Sequence, residues 1–247
     1  MNLTDINLRE KKFHNELQLK NKPRKENIFY KAISTMFEDF EKYIKKNSQN
    51  KNILDFGCGV GSITERVAKY QPAKLVGIDI SEISITKAKE NAKNKNLDIV
   101  YISDNCEKSK LTSSSYDLIY GSGILHHLNL ELCVKEINRL LKKEGTIVFM
   151  EPLGTNPLIN LYRKLTPNSR SSDEHPFLKK DFDFLKKNFS DVNIKYYGFL
   201  TLLFFLFYKN PQVSNFFRIL TNIDNFLFRF KYLKKLAWSV LIICKKN

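Results

Sequence analysis

An α/β protein built on a doubly wound parallel sheet is what the sequence predicts, and three observations predict it. Short apolar runs alternate with amphipathic helical stretches from residue 51 to residue 152. A glycine-spaced turn, Gly57-Cys58-Gly59-Val60-Gly61, directly follows the first of those runs. The 247 residues are 43% hydrophobic, enough for a sizeable core in one large unit or two small ones.

The elements follow in order. Residues 1–50 are polar, with a helical rhythm in their second half: Phe29, Ile33, Phe37, Phe40 and Tyr43 recur at threes and fours. They are expected to form an N-terminal helical segment laid against the main domain. Lys51 to Phe56 is the first strand and Gly61 to Tyr70 the first helix of the alternation. Lys74 to Ile80 is the second strand. A helix over 81–94 follows, with Ser81 placed to cap it. Asp98 to Ser103 and Tyr116 to Tyr120 are further strands. Leu130 to Lys143 reads as a helix stopped by Gly145, and Thr146 to Met150 as the next strand. Beyond Glu151 the chain is loop-rich around a short helix, Leu158 to Leu165. A helix over 179–188 and a strand over 192–197 come next. Phe216 to Tyr232 is amphipathic, with Phe216, Ile219, Leu220, Ile223, Phe226, Leu227 and Phe230 on one side. Trp238 to Cys244 is a nearly continuous apolar strand, suited to the middle of a sheet.

Composition excludes several classes. Nine Gly, seven Pro and four scattered Cys rule out collagen-like and disulfide-scaffold chains. Cys58, Cys106, Cys133 and Cys244 form no C-x-x-C pair, so reduced thiols, a cytoplasmic setting and no metal site are expected. The N-terminus is polar from Met1 to Lys12, so no secretory signal is expected. The run from Tyr196 to Tyr208 is shorter than the ~17–25 residues that span a bilayer. Net charge is +15, from 41 basic and 26 acidic residues. Much of the excess is Lys on an ordinary surface. The C-terminal stretch from Lys195 is different, because its basic residues interleave with Phe while Asp224 is its one acid. That pattern suits peripheral contact with an anionic membrane, at its inner face, better than duplex binding.

The glycine turn is the strongest chemical signal. Glycine serves where φ is positive or where a ligand lies against the backbone. The spacing departs from G-x-G-x-x-G, whose last glycine would fall at Ser62, so hydride transfer is disfavoured. Asp79 ends the second strand, where a carboxylate accepts both ribose hydroxyls of a nucleoside lying across the strand ends. Asp104, followed by Asn105, ends the third, within reach of an adenine amine. All stand at carboxyl ends of parallel strands, where open α/β sheets bind ligands.

With Asp55 to Gly61, Asp79, Asp104-Asn105, Tyr116 to Ile119 and Gly121 to His127, residues 51–152 resemble the class I S-adenosylmethionine-dependent methyltransferases. Phe13-His14 and Glu151-Pro152 are also similar to members of that group. The resemblance implies a seven-stranded Rossmann-like sheet with an antiparallel last strand. It also implies a methyltransferase domain over 51–247, carrying a hydrophobic helical insertion at about 198–235 before that strand. It implies S-adenosylmethionine as cofactor, with Asp55, Gly57, Cys58, Gly59 and Gly61 around its methionine part. Asp79 and Ile80 would hold ribose and adenine, Asp104 and Asn105 the adenine, and Gly121 and Ser122 the sulfonium edge. The implied function is transfer of a methyl group to an O or N atom of a small-molecule acceptor, with lipid-linked and glycan-linked acceptors open.

Such a transfer needs a base when the acceptor is a hydroxyl or an ammonium. His126 and His127 after the fourth strand, Glu151 ending the fifth, and His175 in the loop-rich segment are the candidates. Arg163 and Arg170 are candidates to grip an anionic acceptor. Two rival readings stand beside this one. Nucleic-acid methylation is disfavoured, because Gly121-Ser122-Gly123-Ile124 replaces the [DN]-P-P-[YF] that receives a flipped base. A non-catalytic cofactor-binding protein is the other. The oligomeric state is open.

Overall fold

The computed structural model describes residues 3–19, 28–167, 171 and 173–246. Seven strands form one sheet in the order β3-β2-β1-β4-β5-β7-β6. In chain order they are β1 (Asn52–Phe56), β2 (Lys74–Asp79), β3 (Val100–Ser103), β4 (Tyr116–Ser122), β5 (Leu141–Pro152), β6 (Ser190–Tyr197) and β7 (Ser239–Lys245). The first five pair in parallel, and β7 runs antiparallel between β5 and β6. The apolar character of residues 238–244 fits that inner position.

The central strands are apolar at successive positions because both faces are covered. Leu54, Ile119 and Ile147 join one core with Val134, Ile137 and Leu140 of α5 (Leu130–Leu140) and Phe182 and Leu185 of α7 (Lys179–Asn188). Their neighbours Ile53, Leu118 and Val148 point the other way. There they meet Met36, Phe40 and Ile44 of α2 (Ser34–Ser48) and Val67 of α3 (Ser62–Ala68). The N-terminal segment therefore does lie against the sheet, through α2 and a 3₁₀ turn at Ile28–Ile33.

Three expectations change. The helix after β4 ends at Leu140, not Lys143, and β5 begins at Leu141, which pairs with Tyr116. Sheet pairing wins there over local helical pattern. The expected N-terminal helical segment divides in two, with α1 (Asp5–Leu19) preceding α2. The amphipathic helix of the insertion, α9 (Asn215–Leu227), is shorter than expected, and its apolar side is largely exposed. Leu220 and Phe217 are buried, while Phe216, Ile219, Ile223 and Phe226 face solvent. Asp224 ties α9 to α8 (Leu200–Leu203) by accepting from the Phe199, Leu200 and Thr201 amides. Among the described residues, no helix is long and apolar enough to cross a membrane.

Candidate functional site

The site is built from the carboxyl ends of β1 to β5. At the end of β1 the chain turns through Gly57 and Cys58, whose amides both donate to the Ile78 carbonyl at 2.9 Å. Gly59 follows at φ +53, and a Cβ placed on it would meet nothing within 4 Å. Gly61, at φ +80, precedes α3, and a Cβ there would strike the Tyr101 hydroxyl at 2.3 Å. Close packing thus demands glycine at 61, whereas at 59 the left-handed backbone faces open space.

Asp79, at the end of β2, holds this turn. One carboxylate oxygen accepts the Gly59 amide at 2.9 Å, and the other accepts the Ser81 amide at 2.8 Å. Ser81 caps α4 (Glu82–Asn94), as expected, by accepting from the Ser84 amide. Under the turn, Asp55 is buried and accepts the Thr64 hydroxyl at 2.7 Å. Burial pushes its carboxyl up to about 7, and the Asp79 charge adds to this against the Thr64 bond. Burial also pushes the Cys58 thiol up, which keeps it protonated.

Asp104 and Asn105 stand at the end of β3 as expected, but both are buried and already bonded within the protein. Asp104 accepts the Asn105 and Lys110 amides at 2.9 and 2.8 Å. Asn105 accepts the Glu107 amide and donates to Asn7 of α1 at 3.1 Å. α1 straps this whole rim. Lys11 pairs with Glu82 at 2.6 Å, and the Ser81 hydroxyl donates to Asn15 at 2.6 Å. Arg9 grips Asp173 with two bonds of 2.8 Å.

Gly121 and Ser122, the last residues of β4, lead into a turn that carries both histidines. Glu151, 1% exposed at the end of β5, organises it. One of its oxygens accepts the Ile124 and Leu125 amides at 3.1 and 2.9 Å. The other meets His126 Nδ1 at 2.6 Å. That bond assigns the proton to Nδ1 and leaves the Nε2 lone pair free to act as a base. Glu174 lies 3.7 Å from that Nε2. His127 turns the other way, toward Glu10 and His14 of α1. Burial lowers its basicity, so it is neutral near pH 7. Burial opposes ionisation of Glu10, yet the His127 and His14 imidazoles beside it and the Ser171 hydroxyl bond hold its carboxyl well below the usual range.

The structure therefore brings His126, His127 and Glu151 together and leaves His175 out. The His175 ring is exposed, and only its backbone amide reaches the cluster, donating to the His126 carbonyl at 2.8 Å. Glu174, its neighbour, takes the place expected of it. Arg163 donates to the Leu153 carbonyl and to Asn160, at the foot of α6 (Pro157–Leu165), and Arg170 lies outside the described residues. Sequence reasoning missed Asn7, Glu10 and Ser171. Their one signal was Phe13-His14, which marked the upstream stretch.

Residues 47–193 match a family model described as "Methyltransferase domain". Among curated relatives, a ubiquinone biosynthesis O-methyltransferase of Pelagibacter ubique is 34% identical over 60% of this chain and 58% of its own. A sterol 24-C-methyltransferase of Aspergillus fumigatus is 28% identical over 53% of this chain and 36% of its own. The chain thus spans between a third and three fifths of the length of these relatives. Among solved structures, a geranyl diphosphate C-methyltransferase of Streptomyces coelicolor shares the fold at TM-score 0.67 and 11% identity, over 99% of this chain and 98% of the other. A magnesium protoporphyrin IX methyltransferase of Synechocystis does so at 0.64 and 12%, over 98% and 100%.

Proposed function

Because this chain belongs to the methyltransferase-domain family, we propose that it transfers a methyl group from S-adenosylmethionine to an oxygen or nitrogen of a small-molecule acceptor. The observation that carries this reading is the pairing of Asp79 with Gly59. Each Asp79 oxygen accepts one amide and keeps further acceptor capacity, which two ribose hydroxyls would fill. Beside it the Gly59 backbone borders open space of the kind a ligand occupies without a Cβ in its way. The donor set fits the cofactor on these two counts. The relatives' names support methyl transfer to a small molecule: one is an O-methyltransferase, in keeping with an oxygen acceptor, and another a sterol C-methyltransferase, whose acceptor atom is carbon.

When bound, the cofactor supplies an electrophilic methyl group with a good leaving group, and positioning carries much of the rate. The chain's own residues supply the rest. The glycine turn and Asp79 orient the nucleoside. His126 Nε2, held by Glu151, accepts the proton that a hydroxyl or ammonium acceptor must lose. α1 lies along this rim, with Arg9 on Asp173 and Glu10 on Ser171. Asp104 and Asn105 act on adenine through the loop that they shape. The test is calorimetry with S-adenosylhomocysteine, followed by transfer of isotopically labelled methyl into fractionated cell extract. Binding at one site and label in a small-molecule or lipid fraction is expected. Absence of binding, or label only in RNA, overturns the reading.

A membrane-bound acceptor is the finer reading. Leu206, Phe207, Ile219, Phe226 and Phe230 are more than half exposed around α8 and α9, and Leu158, Leu161 and Leu165 of α6 are too. Lys209, Arg218, Arg229, Lys231, Lys234 and Lys235 interleave with the α8–α9 group. An exposed apolar surface with basic neighbours suits the interface of an anionic bilayer.

A further inference from the structure

Three side chains that the methyl-transfer scheme does not use meet where α1 crosses the turn after β4. Glu10 and His14 are one helical turn apart on α1 and so share a face. His127 reaches them from the far side of the chain. One donor atom from each lies within 4.8 Å of the other two.

The distances decide what this group is. Glu10 Oε2 is 3.3 Å from His127 Nδ1 and 3.6 Å from His14 Nε2. Both exceed the ~2.7–3.2 Å of a good N–H···O bond. Both match the edge of a tetrahedron, because metal–ligand bonds of ~2.0–2.2 Å set their ligands about 3.3–3.6 Å apart. That Oε2 is buried and lacks a hydrogen-bond partner, in a side chain only 4% exposed. Such an orphaned acceptor is costly unless something else satisfies it. The other oxygen of Glu10 accepts the Ser171 hydroxyl, which fixes the carboxylate toward the two imidazoles.

We propose that Glu10, His14 and His127 bind one first-row divalent cation of the zinc type. Two imidazoles and one carboxylate form a donor set that suits zinc, iron or cobalt rather than magnesium or calcium. Three protein ligands leave a fourth position for water or for an oxygen of the acceptor. The His126 and His127 ring centroids are 4.1 Å apart, so the cation would stand beside the proposed base. It would also pin α1 to the turn after β4 and thereby hold the strap closed. Sequence spacing cannot reveal this site, because its two halves are more than a hundred residues apart.

The test uses the untagged full chain, stripped with a chelator and titrated with cobalt(II). One equivalent should bind with the visible absorption bands of a tetrahedral cobalt site, and zinc should displace it. Glu10→Gln and His14→Ala should each weaken binding by at least about a hundredfold, while His175→Ala should leave it unchanged. His14 is a third exposed, so its truncation opens no core cavity, and circular dichroism checks that each variant is folded. Zinc should raise the thermal midpoint of the stripped wild type and not of the two ligand variants. Substoichiometric cobalt binding to the wild type, or wild-type affinity in both ligand variants, overturns the site. The readout needs no methyl transfer, so failure of the proposed reaction and failure of the metal site are separate results.

Discussion

Truncating Asp79 removes the acceptor on which the cofactor crevice depends. In Asp79→Ala the Gly59 and Ser81 amides lose bonds of 2.9 and 2.8 Å, and the ribose loses its two acceptors. A hydrogen bond to a charged group contributes roughly 1.5–3 kcal/mol. The carboxylate is partly exposed, so the lower figure applies to each ribose bond. Two such bonds total about 3 kcal/mol, or about a hundredfold in affinity. The freed amides cost stability as well, about 1–3 kcal/mol if they stay dry. Asp79→Asn keeps one acceptor oxygen and turns an amino group toward the other amide, so its loss should fall between the wild type and alanine. The assay is calorimetric titration with S-adenosylhomocysteine at fixed salt, with a thermal melt to show that each variant is folded. An Asp79→Ala protein that is folded and binds within twofold of wild type would refute the assignment.

Three further outcomes are expected. Glu151→Gln keeps an oxygen for the Ile124 and Leu125 amides but presents N–H to His126 Nδ1, which moves the ring proton to Nε2 and disables the base. Methyl transfer should fall by ~10²–10⁴ with cofactor affinity unchanged; an equal loss of both would make Glu151 structural. Asp55, pushed up to about 7, holds a proton in the folded state between about pH 4 and 7 that the unfolded chain has released. Stability therefore falls as pH rises through that window, by up to about 4 kcal/mol, and Asp55→Asn should flatten the dependence in urea melts at pH 5 and pH 8. Undiminished slope in the variant would contradict that account. Replacing Ile219, Phe226 and Phe230 by Asn removes three side chains exposed by 56%, 54% and 53%. At roughly 1 kcal/mol for each half-buried side chain, partition onto phosphatidylglycerol vesicles should drop about a hundredfold. Unchanged sedimentation would reject the membrane reading.

The sheet was legible because its strands are covered on both faces. Continuous runs such as Ile53-Leu54 and Ile147-Val148 feed two cores at once. The glycine turn and Asp79 were legible because backbone geometry at strand ends restricts residue type. The bounds of α1 were not, because its buried positions among the described residues are Asn7 and Glu10, polar residues that give no apolar periodicity. The same cause hid the Glu10–His14–His127 cluster. The end of α5 was misplaced because Leu141 serves a strand pairing that no local pattern reports. The insertion was read as amphipathic, correctly, but amphipathicity alone does not say which side meets the protein. Here Phe217 and Leu220 do, and the larger apolar side is left outside.

Everything turns on where the nucleoside lies. A crystal of the chain grown with S-adenosylhomocysteine answers this most directly. The account predicts the ribose hydroxyls within hydrogen-bond reach of both Asp79 oxygens and the homocysteine part against Gly59. A ligand bound elsewhere, with Asp79 still engaged only by the Gly59 and Ser81 amides, would contradict it.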